Sequence, residues 1–329
     1  MRYLITGGAG FIGSHLADAY VLGGGQVTVL DDLSTGNEEN LRALLDRDAV
    51  HLVHGSVLDA GLVRELVEQV DVVVHLAATV GVELVVRDPL RAIENNVEGT
   101  RTVLDACSRF GTRVLLTSTS EIYGKNTSDR LHEDADRIMG SPSKARWAYA
   151  TSKVVDEILA YEHWRQRGTP TVVVRLFNCS GPRQTGSYGM VVPRFVRQAL
   201  QGEDVTVYGD GLQTRCFCHV ADTVEGLMAI VAAPEAVGRP YNIGGDVEIT
   251  IRDLAQRVID LAGSRSAVRL VSYEEAYEPG FEDMQRRVPD TTRIRELTGW
   301  RPHRSLDEII RDVIAEERLR LEDPVRSAR

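Results

Sequence analysis

The chain has 329 residues, 43% of them hydrophobic and 26% charged. That is the balance of an ordinary globular protein, long enough for two packed lobes. Its 38 Lys+Arg against 48 Asp+Glu leave a net charge of −10, which argues against nucleic acid and anionic membrane as partners of the surface as a whole. No apolar run approaches the ~18 residues of a membrane span, and Met1-Arg2-Tyr3-Leu4-Ile5 runs straight into glycines, so neither a span nor a leader is expected.

The first half alternates two kinds of segment. Tyr3–Thr6 reads as a strand, followed by a Gly-rich turn and a helix from about Ile12 to Leu22. Gln26–Leu30 is the next strand and ends in Asp31-Asp32; Val50–His54, Asp71–Leu76 and Arg113–Thr117 are further short apolar runs with amphipathic stretches between them. Val72-Val73-Val74 and Val114-Leu115-Leu116 are continuous rather than alternating, as strands covered on both faces are. Thr171–Phe177 is one more such strand. The pattern predicts an α/β fold, a Rossmann-type doubly wound parallel sheet. After Asn178, glycines, prolines and arginines cluster in loops, and helices are expected at Asp222–Ala233 and Ile251–Leu261. The division read from this is a dinucleotide-binding domain over 1–178, with part of about 219–245 returning to it, and a smaller α/β C-terminal substrate lobe over 179–329. The charged tail from Glu316 to Arg329 reads as a solvated helix end and a frayed terminus.

Residue spacing carries the chemistry. Cys107, Cys179, Cys216 and Cys218 lack a CxxC pair, so they read as free buried thiols in a reducing cytoplasm, and no metal site is expected. Gly8-Ala9-Gly10-Phe11-Ile12-Gly13, with Gly7 in a second register, follows a strand and opens a helix. Glycines there let the backbone approach a pyrophosphate seated on the helix N-terminus. Asp31 ends the next strand 18 residues after Gly13, where an acid binds the adenosine ribose. Beside it stands Asp32 rather than a base, and two carboxylates repel a 2′-phosphate, so the cofactor is read as NAD rather than NADP. Tyr149 and Lys153 are spaced i, i+4 and share a helix face. A nearby ammonium favours phenolate, which makes Tyr149 a base and leaves Lys153 to reach a nicotinamide ribose. Lys153 is one of only three lysines among the 38 basic side chains, with Lys125 and Lys144; its task suits a compact ammonium better than a planar guanidinium. Thr117-Ser118-Thr119-Ser120-Glu121 sits at a strand end upstream. Arg183, Arg194, Arg215, Arg286 and Arg287, in loop-like surroundings, offer bidentate donors to a diphosphate.

Fingerprint, strand-end Ser/Thr and Tyr-x-x-x-Lys in this order resemble the extended short-chain dehydrogenase/reductase family over nearly the whole chain. Its sugar-nucleotide branch is matched by His75-Leu76-Ala77-Ala78, Asn96-Val97-Glu98-Gly99-Thr100, Phe177-Asn178, Gly181-Pro182-Arg183 and the run from Val205 to Arg215. The resemblance implies an NAD that is reduced and reoxidised within one turnover, a UDP-sugar substrate and a homodimer through a helix bundle that includes the Tyr149 helix. Its catalytic positions fall on Thr119, Glu121, Tyr149 and Lys153. Its cofactor positions fall on Gly7, Gly10, Phe11, Ile12, Gly13, Asp31, Asp32, Ser56, Val57, Leu76, Ala77 and Ala78, besides Tyr149 and Lys153. Ser56 departs from the pattern, since many relatives place an Asp there against the adenine. Substrate positions fall on Glu83, Asn178, Arg183, Met190, Arg194, Tyr208, Arg215 and Arg287, with Arg215 and Arg287 on the diphosphate and ribose and Tyr208 beside the base.

All members of this branch resemble one another in oxidising the sugar at C4. Hydride return to the other face makes a 4-epimerase, loss of C6 water a 4,6-dehydratase, and loss of CO₂ from a C6 carboxylate a decarboxylase. Glu121 is found in decarboxylases and dehydratases; Ser120 replaces the Asp of dTDP-glucose dehydratases. Arg146-Trp147-x-Tyr149, Arg215-Cys216-Phe217 and Phe281-Glu282-Asp283 with Arg287 resemble UDP-glucuronate decarboxylases, and that is the activity expected, giving UDP-4-keto-pentose or UDP-xylose. Met190 cuts the other way. Decarboxylases carry Arg there and uronate 4-epimerases Met, so a UDP-glucuronate or UDP-hexose 4-epimerase is the alternative, with Arg183, Ser187 and Tyr188 as other candidates to hold a carboxylate. A non-catalytic NAD-binding sensor is disfavoured by intact Thr119, Tyr149 and Lys153.

Overall fold

In a computed structural model of the chain, residues 1–81, 88–144, 147–186, 190–276 and 284–322 are described. The six apolar runs become strands β1 (Arg2–Thr6), β2 (Gln26–Asp31), β3 (Val50–His54), β4 (Val72–His75), β5 (Arg113–Thr119) and β6 (Thr171–Leu176), joined by a seventh, β7 (Pro240–Ile243). They form one sheet in the order β7-β6-β5-β4-β1-β2-β3, and every pairing is parallel. Because side chains alternate across a strand, each strand feeds two cores. Ile5, Val29, Val74, Leu115 and Val174 face one side; Leu4, Leu30, Val73, Leu116 and Val173 face the other. Their near-complete burial on both faces explains why these runs carry no polar alternation.

Helix α1 (Phe11–Leu22) and helix α6 (Val220–Ala232) cover the first face. Helices α2 (Ala60–Glu68), α3 (Pro89–Phe110) and α4 (Ala148–Arg167) cover the second. The α3 start is set locally: Asp88 accepts from the Arg91 N–H and Pro89 supplies the fixed φ of a first turn. A second core is built from α5 (Val191–Gln201), α7 (Ile251–Ala262) and α9 (Leu306–Glu322), with Phe195, Leu254 and Ile310 fully buried. Between α7 and α9, the short helix α8 (Thr292–Thr298) packs back on the first core through Ile294. Among the described residues no helix is long and apolar enough to cross a membrane. The four cysteines are free thiols, and burial pushes Cys179 and Cys216 up to about 12, which makes them poor nucleophiles.

The expected boundaries shift slightly. β5 runs on to Thr119 rather than stopping at Thr117, α6 begins at Val220 rather than Asp222, and α9 extends to Glu322. β7 is absent from the sequence reading. It is short, starts at a proline, and forms only because the sheet edge beyond β6 accepts it, where a missing N–H is tolerated.

A buried ion pair ties α4 to the sheet. Arg175 of β6 donates Nε to Glu157 Oε1 at 2.9 Å and Nη2 to Oε2 at 2.8 Å, and Nη1 to the Tyr123 hydroxyl and the Glu133 carbonyl. Side-chain exposure is 6% for Arg175 and 0% for Glu157. Arg175→Met would strand a buried carboxylate, so we expect a loss of about 3–5 kcal/mol in urea unfolding.

Candidate active site

The end of β1 turns into α1 with backbone packed on backbone. Gly7 has φ +70, and a Cβ there would lie 2.7 Å from the Ala77 amide nitrogen; one on Gly13 would lie 2.4 Å from the Gly7 carbonyl oxygen. Gly10 caps α1 with no side-chain acceptor, so the first amides face the cleft as an anion seat. Asp31, at the end of β2, is 6% exposed. It accepts the Ala9 N–H on Oδ2 and the Leu33 N–H on Oδ1, both at 2.9 Å. Burial pushes its carboxyl up and those two amides oppose the shift. It therefore clamps the Gly-rich turn as well as facing the cleft. Asp32 is exposed and accepts from the Ser34 amide and hydroxyl.

A cleft of about 380 Å³ runs from this turn across the sheet. Gly7, Gly10, Phe11, Ile12, Gly13, Asp31, Asp32, Ser56, Val57, Leu76, Ala77, Ala78, Thr119, Tyr149 and Lys153 all line it, with Asn178 and Met190 at the far end. The residues fit a dinucleotide: a glycine cradle that a Cβ would fill, and an acid at the next strand end. Ser34, Thr35 and Gly36 also line the cleft and were missed by the sequence reading. The one available signal was Gly36, where a Cβ would lie 2.6 Å from Asp31 Oδ1.

Thr119 ends β5, and its hydroxyl accepts the Glu121 N–H at 3.2 Å as the chain turns into a short 3₁₀ helix over Ser120–Tyr123. Tyr149 and Lys153 come from α4, whose place is fixed by Asn96 of α3 donating to Ser152 at 3.1 Å. The Thr119 hydroxyl acts on the Tyr149 phenol in favour of the phenolate. Tyr149 departs from expectation. Its phenol is pushed up rather than down, first by burial and next by the Glu121 charge, against which Thr119 and Arg287 pull. Lys153, one turn along α4, does not offset this, since its Nζ is 2.9 Å from Asp156 Oδ2 and the Asp156 charge also acts against the phenolate.

Arg287, read from sequence as a diphosphate and ribose contact, lies against Glu121. Its Nη1 is 2.7 Å from Oε1, with side chains 9% and 12% exposed, and 3.3 Å from Ser120 Oγ. It arrives there because Arg286–Arg287 pairs in parallel with Thr214–Cys216, with Arg287 in register with Arg215. Arg215 is buried and donates Nη1 to the Thr214 carbonyl at 2.8 Å. Arg194 stacks over the Tyr208 ring at 4.1 Å. Asn178, at φ 35, donates Nδ2 to the Cys216 carbonyl at 2.8 Å. Arg183 turns away to Asp18 of α1, 2.7 Å off. Glu83, Arg146, Ser187, Tyr188 and Phe281-Glu282-Asp283 lie outside the described residues.

A glycine cradle, an acid at the next strand end and a Tyr–Lys pair above them define a dinucleotide-dependent oxidoreductase fold of the short-chain type. A sequence model of the NAD dependent epimerase/dehydratase family matches residues 3–244. The chain is 42% identical over 315 residues to a UDP-N-acetyl-alpha-D-glucosaminuronate decarboxylase of Bacillus cytotoxicus, covering 95% of this chain and 96% of that one. It is 36% identical over 323 residues to UDP-glucuronic acid decarboxylase 1 of Xenopus tropicalis, covering 98% and 73%. The solved UDP-glucuronic acid 4-epimerase of Bacillus cereus, in complex with UDP-glucuronic acid and NAD, superposes with a TM-score of 0.88 at 26% identity, covering 97% and 99%. The chain belongs to the NAD dependent epimerase/dehydratase family, and its cofactor is NAD.

With Asp31 and Asp32 on the cleft wall, NAD should bind at least ~10-fold more tightly than NADP. Asp32→Arg should narrow that gap. Calorimetric titration with both dinucleotides checks this, and equal affinities in the native protein would sink the reading.

Proposed function

We propose that the protein is an NAD-dependent decarboxylase of UDP-glucuronate. The observation that carries this reading is the Glu121–Arg287 pair, set beside Thr119 and Tyr149 in a chain similar to proteins named for this reaction. Bound NAD would supply the acceptor for a hydride. Tyr149 takes the proton of the sugar C4 hydroxyl, while Thr119 hydrogen-bonds the same oxygen and keeps the lone pair aligned. A ketone at C4 makes the C6 carboxylate a β-keto acid. The C5–C6 bond breaks, CO₂ leaves, and its electron pair spreads into the C4 oxygen as an enolate. Glu121 and Arg287 then face C5: the guanidinium neutralises a glutamate that would otherwise repel the uronate, and Glu121 passes to C5 a proton that it takes up from solvent water. The product is the UDP-4-keto-pentose, or UDP-xylose where the hydride returns.

In this reading 1–178 with about 219–245 holds the dinucleotide and 179–329 the sugar nucleotide. Arg215, Arg194 and Tyr208 serve the UDP group. The enzyme is a cytoplasmic homodimer. Leu90 and Ile93 on α3 and Val155 and Ile158 on α4, 36–65% exposed, give the two helices apolar faces suited to a four-helix interface. Two specific observations favour neighbouring readings. Met190 on the cleft wall and the likeness to the Bacillus cereus enzyme favour a 4-epimerase. The 42% identity to a decarboxylase named for the 2-acetamido uronate favours that substrate.

The test is incubation with NAD and UDP-glucuronate, and in parallel UDP-N-acetylglucosaminuronate, following CO₂ release and the product sugar by NMR. We expect CO₂ with a pentose nucleotide; UDP-galacturonate without CO₂ would make the enzyme an epimerase. Tyr149→Phe should abolish oxidation, by ~10²-fold or more. Glu121→Gln should leave C4 oxidation and slow the later steps, which single-turnover absorbance and CO₂ release separate; an unchanged CO₂ rate relegates Glu121 to structure.

A further inference from the structure

Lys153 shares its buried place with a carboxylate that the steps above do not use. Asp156 is 0% exposed and Lys153 3%, with Oδ2 2.9 Å from Nζ. The i, i+3 spacing sets both on one face of α4. Behind the carboxylate runs a row of polar side chains. Burial pushes the Asp156 carboxyl up, while Lys153 and then the Thr100 hydroxyl of α3 favour its ionised form. Thr100 Oγ1 is also 3.2 Å from His75 Nε2, and His75 Nδ1 is 2.7 Å from Thr6 Oγ1. The Ala77 N–H donates to Thr6 Oγ1 at 3.3 Å and closes the row.

Neither oxygen of Asp156 accepts a hydrogen bond of good geometry; Thr100, His75 and Thr6 are linked to one another behind it. His75 stays neutral, because burial, and next the Lys153 charge, push it down to about 3. The row thus joins β1, β4 and α3 and ends beside the carboxylate that faces the ammonium. The remaining charged groups around the phenol come from elsewhere: Glu121 from the turn after β5 and Arg287 from its strand. Glu157, next to Asp156, is closed in its pair with Arg175 of β6. The Asp156 charge itself acts on Tyr149 against the phenolate, opposite in sense to an ammonium.

On the reading above that Tyr149 is the base, we propose that Asp156 is a positioning residue of the reaction. Its carboxylate anchors the Lys153 ammonium from behind and cancels most of the field which that ammonium would exert on the Tyr149 hydroxyl. Asp156 therefore sets the pH at which the tyrosine begins to work and the place from which Lys153 acts.

Asp156→Asn in the full-length, NAD-loaded enzyme tests this. With UDP-glucuronate, the acid limb of kcat/KM moves to lower pH by about one pH unit, while KM is unchanged. A second readout needs no substrate. Lys125, Lys144 and Lys153 are the chain's only lysines, so isotope-labelled lysine gives three side-chain signals, and that of Lys153 is identified by its loss in Lys153→Met. In the native protein the Lys153 Nζ protons exchange slowly with water; in Asp156→Asn they exchange at least ~10-fold faster. An acid limb that stays in place or moves to higher pH overturns the proposal, as does an unchanged exchange rate. Should Asp156→Asn fail to fold, Thr100→Val weakens the same carboxylate from outside and gives a smaller shift in the same direction; no shift there overturns it equally. A native enzyme idle on UDP-glucuronate counts against the reaction instead, and the lysine exchange still decides the ion pair.

Discussion

A parallel sheet delivers the C-terminal ends of all its strands to one edge, and the rest of this molecule follows from that. β1 ends in the Gly7 turn, β2 in Asp31, β4 in His75 before Leu76-Ala77-Ala78, β5 in Thr119 and β6 just before Asn178. None of these segments is close to another in sequence, yet hydrogen-bond register brings them to one cleft. The arrangement needs both sheet faces covered, which the two cores on either side provide. It also needs glycine where the turns meet. Gly7 approaches Ala77, and Gly13 approaches Gly7, more closely than any Cβ permits.

The interior around this edge is unusually charged for a core. Arg175–Glu157 and Lys153–Asp156 are buried ion pairs whose carboxylates are neighbours on α4. Buried pairs recover little net stability once desolvation is counted, so their value lies in direction. The first fixes how α4 sits on β6. The second fixes the ammonium that the helix presents to the cleft. The phenol of Tyr149 feels the Asp156 charge together with those of Glu121 and Arg287. A reading of Tyr149 and Lys153 as an isolated pair gives the wrong direction for the phenol.

Much of this was legible in the residues. The Gly-rich turn after Tyr3–Thr6, the acid at the end of the second strand and Tyr149 with Lys153 on one helix face are local patterns, and each lies where a short stretch of chain sets its own geometry. The strand-end Thr119 is of the same kind. Arg287 was legible as a residue but not as a contact. Its partner Glu121 is far away in sequence, and the two meet only through a strand that pairs beside Arg215. Arg183 shows the reverse, a motif arginine that its left-handed backbone turns toward Asp18. β7 depends wholly on the edge of a sheet made elsewhere.

The sequence by itself determined the doubly wound sheet, the NAD cradle, the Thr119–Tyr149–Lys153 grouping and the family they belong to. Hydrophobic period, glycine sterics and helical spacing act over a few residues and need no partner to be read. Only the tertiary structure decided the charge balance. Asp156 is one more acid on a helix until its burial against Lys153 and Thr100 is seen. Glu121 is a strand-end acid until Arg287 arrives beside it. Electrostatic roles depend on distance and dielectric, and both are set by folding rather than by position along the chain.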